Sequence, residues 1–116
     1  MQSVNLIDDA RYADDMPGVL HAVKTDQLLV DGVYLKAGQK TGWKKQPDAD
    51  RAFLCMQGSG ELVLETIAVG RELRIPLGPG AVALAPRGVF HDLVAGPNGM
   101  ACSALSRFPV RVVEKG

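Results

Sequence analysis

Apolar residues come in short runs along this chain, and each run stops at a glycine, a proline or a polar cluster. The runs Val19 to Lys24, Leu28 to Leu35, Arg51 to Gln57, Glu61 to Ile67, Arg71 to Ile75, Ala81 to Ala85, Val89 to Val94 and Met100 to Phe108 read as strands, with Val110 to Val113 as a short edge strand. No helical period is sustained beyond about two turns. About eight to ten short strands at regular spacing, punctuated by turn residues, predict an all-β antiparallel sandwich or barrel.

The punctuation has specific chemistry. Pro fixes φ and Gly accepts positive φ, so Gly78-Pro79-Gly80, Pro86-Arg87-Gly88 and Pro97-Asn98-Gly99 are expected to turn the chain. Gly58-Ser59-Gly60 predicts a tight turn closing a hairpin between the flanking runs. Asp31-Gly32 interrupts an apolar run and predicts a bulge or bend. Lys36 to Asp50 is the longest irregular stretch. Residues 1–18 are polar and acidic, with Asp8, Asp9, Asp14 and Asp15, and close at Pro17-Gly18. They read as an N-terminal arm, and 19–116 as one barrel domain; 116 residues hold one core and not two.

Composition narrows the function classes. At 47% hydrophobic and 22% charged, the chain is expected to be soluble and globular. Thirteen basic and thirteen acidic residues cancel, which argues against a nucleic-acid binder relying on broad phosphate attraction. No apolar window approaches the roughly 18 residues of a membrane span, and the first residues show no secretory leader, so a cytoplasmic location is expected. Cys55 and Cys102 follow no metal or redox spacing and read as buried thiols. There is no nucleophile-elbow serine and no glycine-rich loop leading into a helix.

One stretch carries a family resemblance. Gly80, Pro86, Gly88 and His91 stand at the spacing of the second sequence motif of the cupin superfamily: glycine, five residues, proline, one residue, glycine, two residues, histidine. Ala95 stands where that motif ends in asparagine. The resemblance runs from about Val33 to Phe108 and implies a jelly-roll β-barrel of cupin type. In the family, a first motif supplies two histidines and a glutamate, which with the second-motif histidine hold a divalent metal such as iron, manganese, nickel or zinc.

Aligned on Gly38 and Gly58, this chain puts Lys44 and Gln46 at the two histidine positions and Arg51 at the glutamate position; a shift of one residue would put Asp50 there. Lysine and arginine are cations without a lone pair to give. His91 alone remains of the family's ligand set, and His21 lies outside both motifs. Ligand counting therefore predicts a degenerate pocket without a metal, or at most an unusual site built on His91.

The resemblance implies instead that Lys44, Arg51 and His91 project to one barrel mouth, with Gln46, Trp43 and Asp50 near them. Two cations and an imidazole among apolar residues suit a small anionic or polar ligand. The plainer alternative leaves Lys44 and Lys45 solvated, Arg51 paired with Asp48 or Asp50, Trp43 packed over the barrel end, and His91 satisfied near the rim. Phe53, Cys55 and Leu93 share the parity of Arg51 or His91 and are expected inside. Three functions remain open: a ligand-binding or sensing module; an enzyme, either an isomerase or epimerase with His91 as general base or a dioxygenase-type metalloenzyme; and an interaction protein with a relic pocket. Edge strands in need of cover make a homodimer the expected assembly.

Overall fold

The computed structural model describes residues 3–66 and 70–115, and every regular element in them is a β-strand. In chain order these are β1 (Gly18–Lys24), β2 (Leu28–Leu35), β3 (Lys44–Lys45), β4 (Arg51–Glu65), β5 (Glu72–Leu77), β6 (Val82–Ala85), β7 (His91–Arg107) and β8 (Val113–Glu114). The expected strand end at Ile67 lies outside the described residues. No helix among the described residues is long and apolar enough to cross a membrane.

Two long bent strands organise the sheet. The first half of β4 lies between β6 and the second half of β7, which continues to β2 and β1. The second half of β4 lies between β5 and the first half of β7, which continues to β3 and β8. The two halves curl around one core, so the sheet closes as a jelly-roll barrel. Alternation sets what faces inward: along β6, Val82 and Leu84 are exposed while Ala83 and Ala85 are buried.

The expected hairpin at Gly58-Ser59-Gly60 is not formed; these residues lie inside β4. Pro97-Asn98-Gly99 likewise falls within β7 and does not end it. Gly58 pairs with Met100 and Gly60 with Ala95, so Ser59 alone stands opposite residues 96–99 and both strands bend there. Gly58 has φ of 72°, and a Cβ on it would meet the Gly99 carbonyl at 2.2 Å. A glycine signal serves a bulge between closely approaching backbones as well as a turn, which is why the pattern misled. At Asp31-Gly32 the strand runs on unbroken. The glycine makes room for the Tyr34 ring, whose Oη would lie 2.3 Å from a Cβ there. The irregularity sits opposite, in β1 between His21 and Val23.

Inside the barrel, Leu35, Cys55, Leu62, Leu93, Met100 and Cys102 are fully buried. Each of the large aliphatic side chains contributes about 1.5–3 kcal/mol by leaving water. A second cluster lies on the outer face of β2, where Tyr34 packs with Leu20 and Ala101 under Leu6 and Ala10 of the arm. The Tyr34 hydroxyl donates to the Leu6 carbonyl at 2.5 Å, and the Tyr12 and Tyr34 rings meet at 5.5 Å. Farther along, the Gln39 amide donates to the Ala13 carbonyl at 2.8 Å, and Lys36 pairs with Asp14. The arm then doubles back into β1 so tightly that a Cβ on Gly18 would collide with the Arg11 carbonyl.

Candidate functional site

Strand parity and strand ends assemble the site. Arg51 opens β4 and Phe53 follows two residues on, so both face inward. His91 opens β7 and pairs across to Lys44 of β3, which brings that lysine to the same end of the barrel. Val33 of β2 and Val19 of β1 add apolar wall, and Thr41 comes from the loop before β3. Ala13, Met16 and Pro17 of the arm cover one side. Together they enclose a cavity of about 480 Å³, within the roughly 300–1,000 Å³ of small-molecule sites.

The loop carrying Thr41 is fixed from below. Asp92 is buried, and its carboxylate accepts from the Gly42 N–H at 3.0 Å and from the Thr41 hydroxyl at 3.3 Å. The Thr41 Oγ1 in turn accepts from the Leu93 N–H at 3.1 Å. Lys44 of β3 therefore follows a loop of defined geometry into the cavity.

Arg51 is held by a partner that sequence reading missed. Its guanidinium lies 3.8 Å from the Asp31 carboxylate, whose other oxygen meets the His21 ring Nδ1 at 2.7 Å. The expected surface partners are engaged elsewhere, Asp50 with Arg87 and Asp48 with Arg111. Arg51 also stacks over Phe53, with its guanidinium carbon 5.1 Å from the ring centroid. Burial draws the Arg51 pKa down and Asp31 opposes this; the group keeps its charge.

His91 is 4% exposed. Its Nδ1 lies 3.3 Å from the Val89 carbonyl, which requires the proton on Nδ1 and leaves Nε2 as an acceptor. The Phe53 ring meets it edge-on, with centroids 5.8 Å apart. Burial pushes its pKa down to about 4; the Arg51 and Lys44 charges push the same way and the Val89 carbonyl opposes. At neutral pH it is an uncharged imidazole between two cations.

The sequence-derived candidates thus divide. Lys44, Arg51 and His91 come together around one cavity that Phe53 also lines. Gln46 is buried but is not among the walls; its carbonyl accepts from the Gly88 N–H at 2.9 Å, and its side-chain Oε1 has no hydrogen-bond partner among the described residues. Trp43 lines a separate hollow of about 350 Å³ with Arg71, Glu72 and Lys115, whose ammonium lies 5.6 Å over the indole. Asp50 is exposed. Gly80 and Gly88 take φ of 86° and 75° in the turns that deliver His91. Cys55 and Cys102 face each other across β4 and β7, and burial raises both thiols, Cys102 to about 12, which disfavours a nucleophilic thiolate.

One imidazole beside an ammonium and a guanidinium does not suit a divalent transition metal, which takes three or four donors with free lone pairs. Among the described residues, no three His, Cys, Asp or Glu side chains cluster as a metal ligand set.

No protein-family model matches the chain, and no curated protein matches it. Solved structures do. An RmlC-like cupin protein from Desulfovibrio desulfuricans superimposes with a TM-score of 0.78 at 23% identity, over 92% of this chain and 96% of that one. A conserved protein with a double-stranded beta-helix domain from Klebsiella pneumoniae gives a TM-score of 0.82 at 16% identity over 99% of both chains. The DMSP lyase DddQ from Ruegeria pomeroyi gives a TM-score of 0.73 at 21% identity, over 87% of this chain and 52% of that one.

Proposed function

We propose that this chain, which has the cupin fold, binds a small anionic ligand in the cavity beside His91 and does so without a metal. The observation that carries this reading is the convergence of Lys44 and Arg51 on an apolar, half-covered cavity. Desolvated cations positioned in advance bind an anionic group more strongly than solvated ones do. Burial, with their charge adding to it, keeps His91 neutral, so Nε2 is left to accept from any hydroxyl or N–H group that the ligand carries.

Binding is favoured over catalysis by the same histidine. A general base works best with a pKa near the operating pH, and His91 in the free pocket lies at about 4. An isomerase or epimerase reading needs a bound anion to raise it. The lyase among the structural neighbours keeps an enzyme in view as the second reading.

Calorimetric titration with acetate and inorganic phosphate tests the proposal. Binding is expected in the wild type and a loss of about tenfold or more in Arg51→Met. Failure of every anion to bind would overturn it, and a stoichiometric transition metal in the purified protein would overturn the metal-free part.

The homodimer belongs to the same proposal. Val82 (69% exposed), Leu84, Leu54 and Leu105 lie together on the outer face of β6, β4 and β7 without a charged residue between them. A second copy covering this face would remove it from water. Sedimentation analysis of Val82→Lys against wild type is expected to show a shift toward monomer; an unchanged monomer in both proteins would count against it.

A further inference from the structure

The cavity also indicates what kind of anion it takes; this step rests on the proposed anion-binding reading. The charges can be counted at the site. Arg51 has a counter-ion built in, since the Asp31 carboxylate sits 3.8 Å away and is itself buried. His91 is held neutral, with Nδ1 spent on the Val89 carbonyl. Lys44 has no ion-pair partner among the described residues. One positive charge therefore remains uncompensated. A ligand with one negative charge closes that balance, whereas a dianion would leave a buried excess charge, which is costly at low dielectric.

The rest of the wall is apolar. Phe53 and Val33 lie on the barrel side, while Val19, Met16 and Pro17 lie on the side of the arm. A bare carboxylate such as acetate would leave these surfaces facing water. An apolar group on the ligand would bury them, at about 25 cal/mol per Å² removed from water. Arg51 stacked on Phe53 sets the border between the two regions, so the charged end and the apolar end of a ligand have fixed places.

We infer that the ligand is an amphipathic monocarboxylate, its carboxylate between Lys44 and Arg51 and its apolar group against Phe53 and under the Met16–Pro17 segment of the arm. Arm and barrel together then form the specificity wall, and Met16 is a specificity-determining residue.

Titration of the full chain at about pH 8 with acetate, benzoate, phenyl phosphate and benzyl alcohol tests this, because a phosphate monoester there carries close to two charges. Benzoate is expected to bind at least about tenfold tighter than acetate and than phenyl phosphate, with benzyl alcohol weakest. Met16→Ser, at a position 65% exposed and so tolerant of change, is expected to reduce the preference of benzoate over acetate. If acetate equals benzoate, or phenyl phosphate equals or exceeds it, the monocarboxylate class is overturned while the anion pocket stands. If none of the anions binds, the anion pocket itself falls. A Met16→Ser protein with unchanged benzoate preference overturns the role of the arm.

Discussion

The two ends of the barrel are built from the same strands and behave oppositely. On β4, Arg51 and Phe53 border the cavity, and the next inward residue, Cys55, is fully buried. On β7, His91 borders the cavity, and two residues on, Leu93 is fully buried. A single inward-facing row thus passes from chemistry to core within one step of the strand period. What differs is the cover. The core end is sealed by the bends of β4 and β7 near Gly58 and Gly99, which bring the two backbones into contact. The cavity end has strand walls, but its cover includes the Thr41 loop and the Ala13 to Pro17 part of the arm, neither of which is a strand. The cavity lies where closure passes from strand pairing to irregular chain.

That contrast can be broken most severely from the core. Leu93→Ala removes a fully buried side chain and is expected to cost about 2–5 kcal/mol, read as a fall in melting temperature. The folded fraction should bind anions as before. A loss of affinity equal to the loss of stability would show that the two ends are not separable.

Acid comes next in size. The pKa of His91 falls from 6.5 to about 4 on folding. Between those values the unfolded chain takes up a proton that the folded chain refuses, so stability falls as pH is lowered through that window and levels off below it. The full effect is at most about 3 kcal/mol at 1.36 kcal/mol per pKa unit. His91→Gln is expected to flatten this part of the stability profile, and chemical denaturation at stepped pH would read it. Identical slopes in the two proteins would mean that His91 is not held neutral.

Lys44 and Lys45 then sharpen the comparison within one dipeptide. Lys44 faces the cavity, while Lys45 lies 4.7 Å over the Phe90 ring. Lys44→Met is expected to weaken anion binding about tenfold, or about 1.4 kcal/mol, with stability nearly unchanged. Lys45→Met is expected to cost about 0.5–1 kcal/mol of stability through the lost cation–π contact and to leave affinity alone. The reverse pattern in calorimetry and melting would place the wrong lysine at the site.

Much of this was legible in the residues, for physical reasons. Strand runs and their parity placed Phe53, Cys55 and Leu93 inside, because a period of two leaves little choice where one face is buried. Gly80 and Gly88 marked the turns ahead of His91, and the family resemblance laid on Gly38 and Gly58 implied that Lys44 shares a barrel mouth with His91, where the two pair across strands. Asp31 was not legible. A carboxylate next to a glycine within a strand run reads as a bulge or bend, and its burial depends on Arg51 and His21, which reach it only after four strands, β1, β2, β7 and β4, are joined. Met16 and Pro17 were missed for a similar reason. The arm has no period of its own, and its course is set by Tyr34, Gln39 and the close crossing at Gly18. Trp43 was grouped with Lys44 by adjacency, but the two residues line different hollows.

The pairing of β4 with β7 also governs how the protein reaches this state. Arg51 is laid against Ser106, so nearly half the chain must be gathered before that rung can close. Domains dominated by such distant pairings fold in roughly milliseconds to seconds, because loop-closure entropy is lost before the contacts compensate it. Both cations of the cavity depend on these late rungs: Arg51 through β7, and Lys44 through its pairings with His91 and Glu114. A nascent or truncated chain lacking the residues after Phe90 would carry Lys44 and Arg51 but no pocket. Ligand recognition should therefore appear in one step with the last stage of folding, and ligand-dependent protection from proteolysis should report completed chains alone.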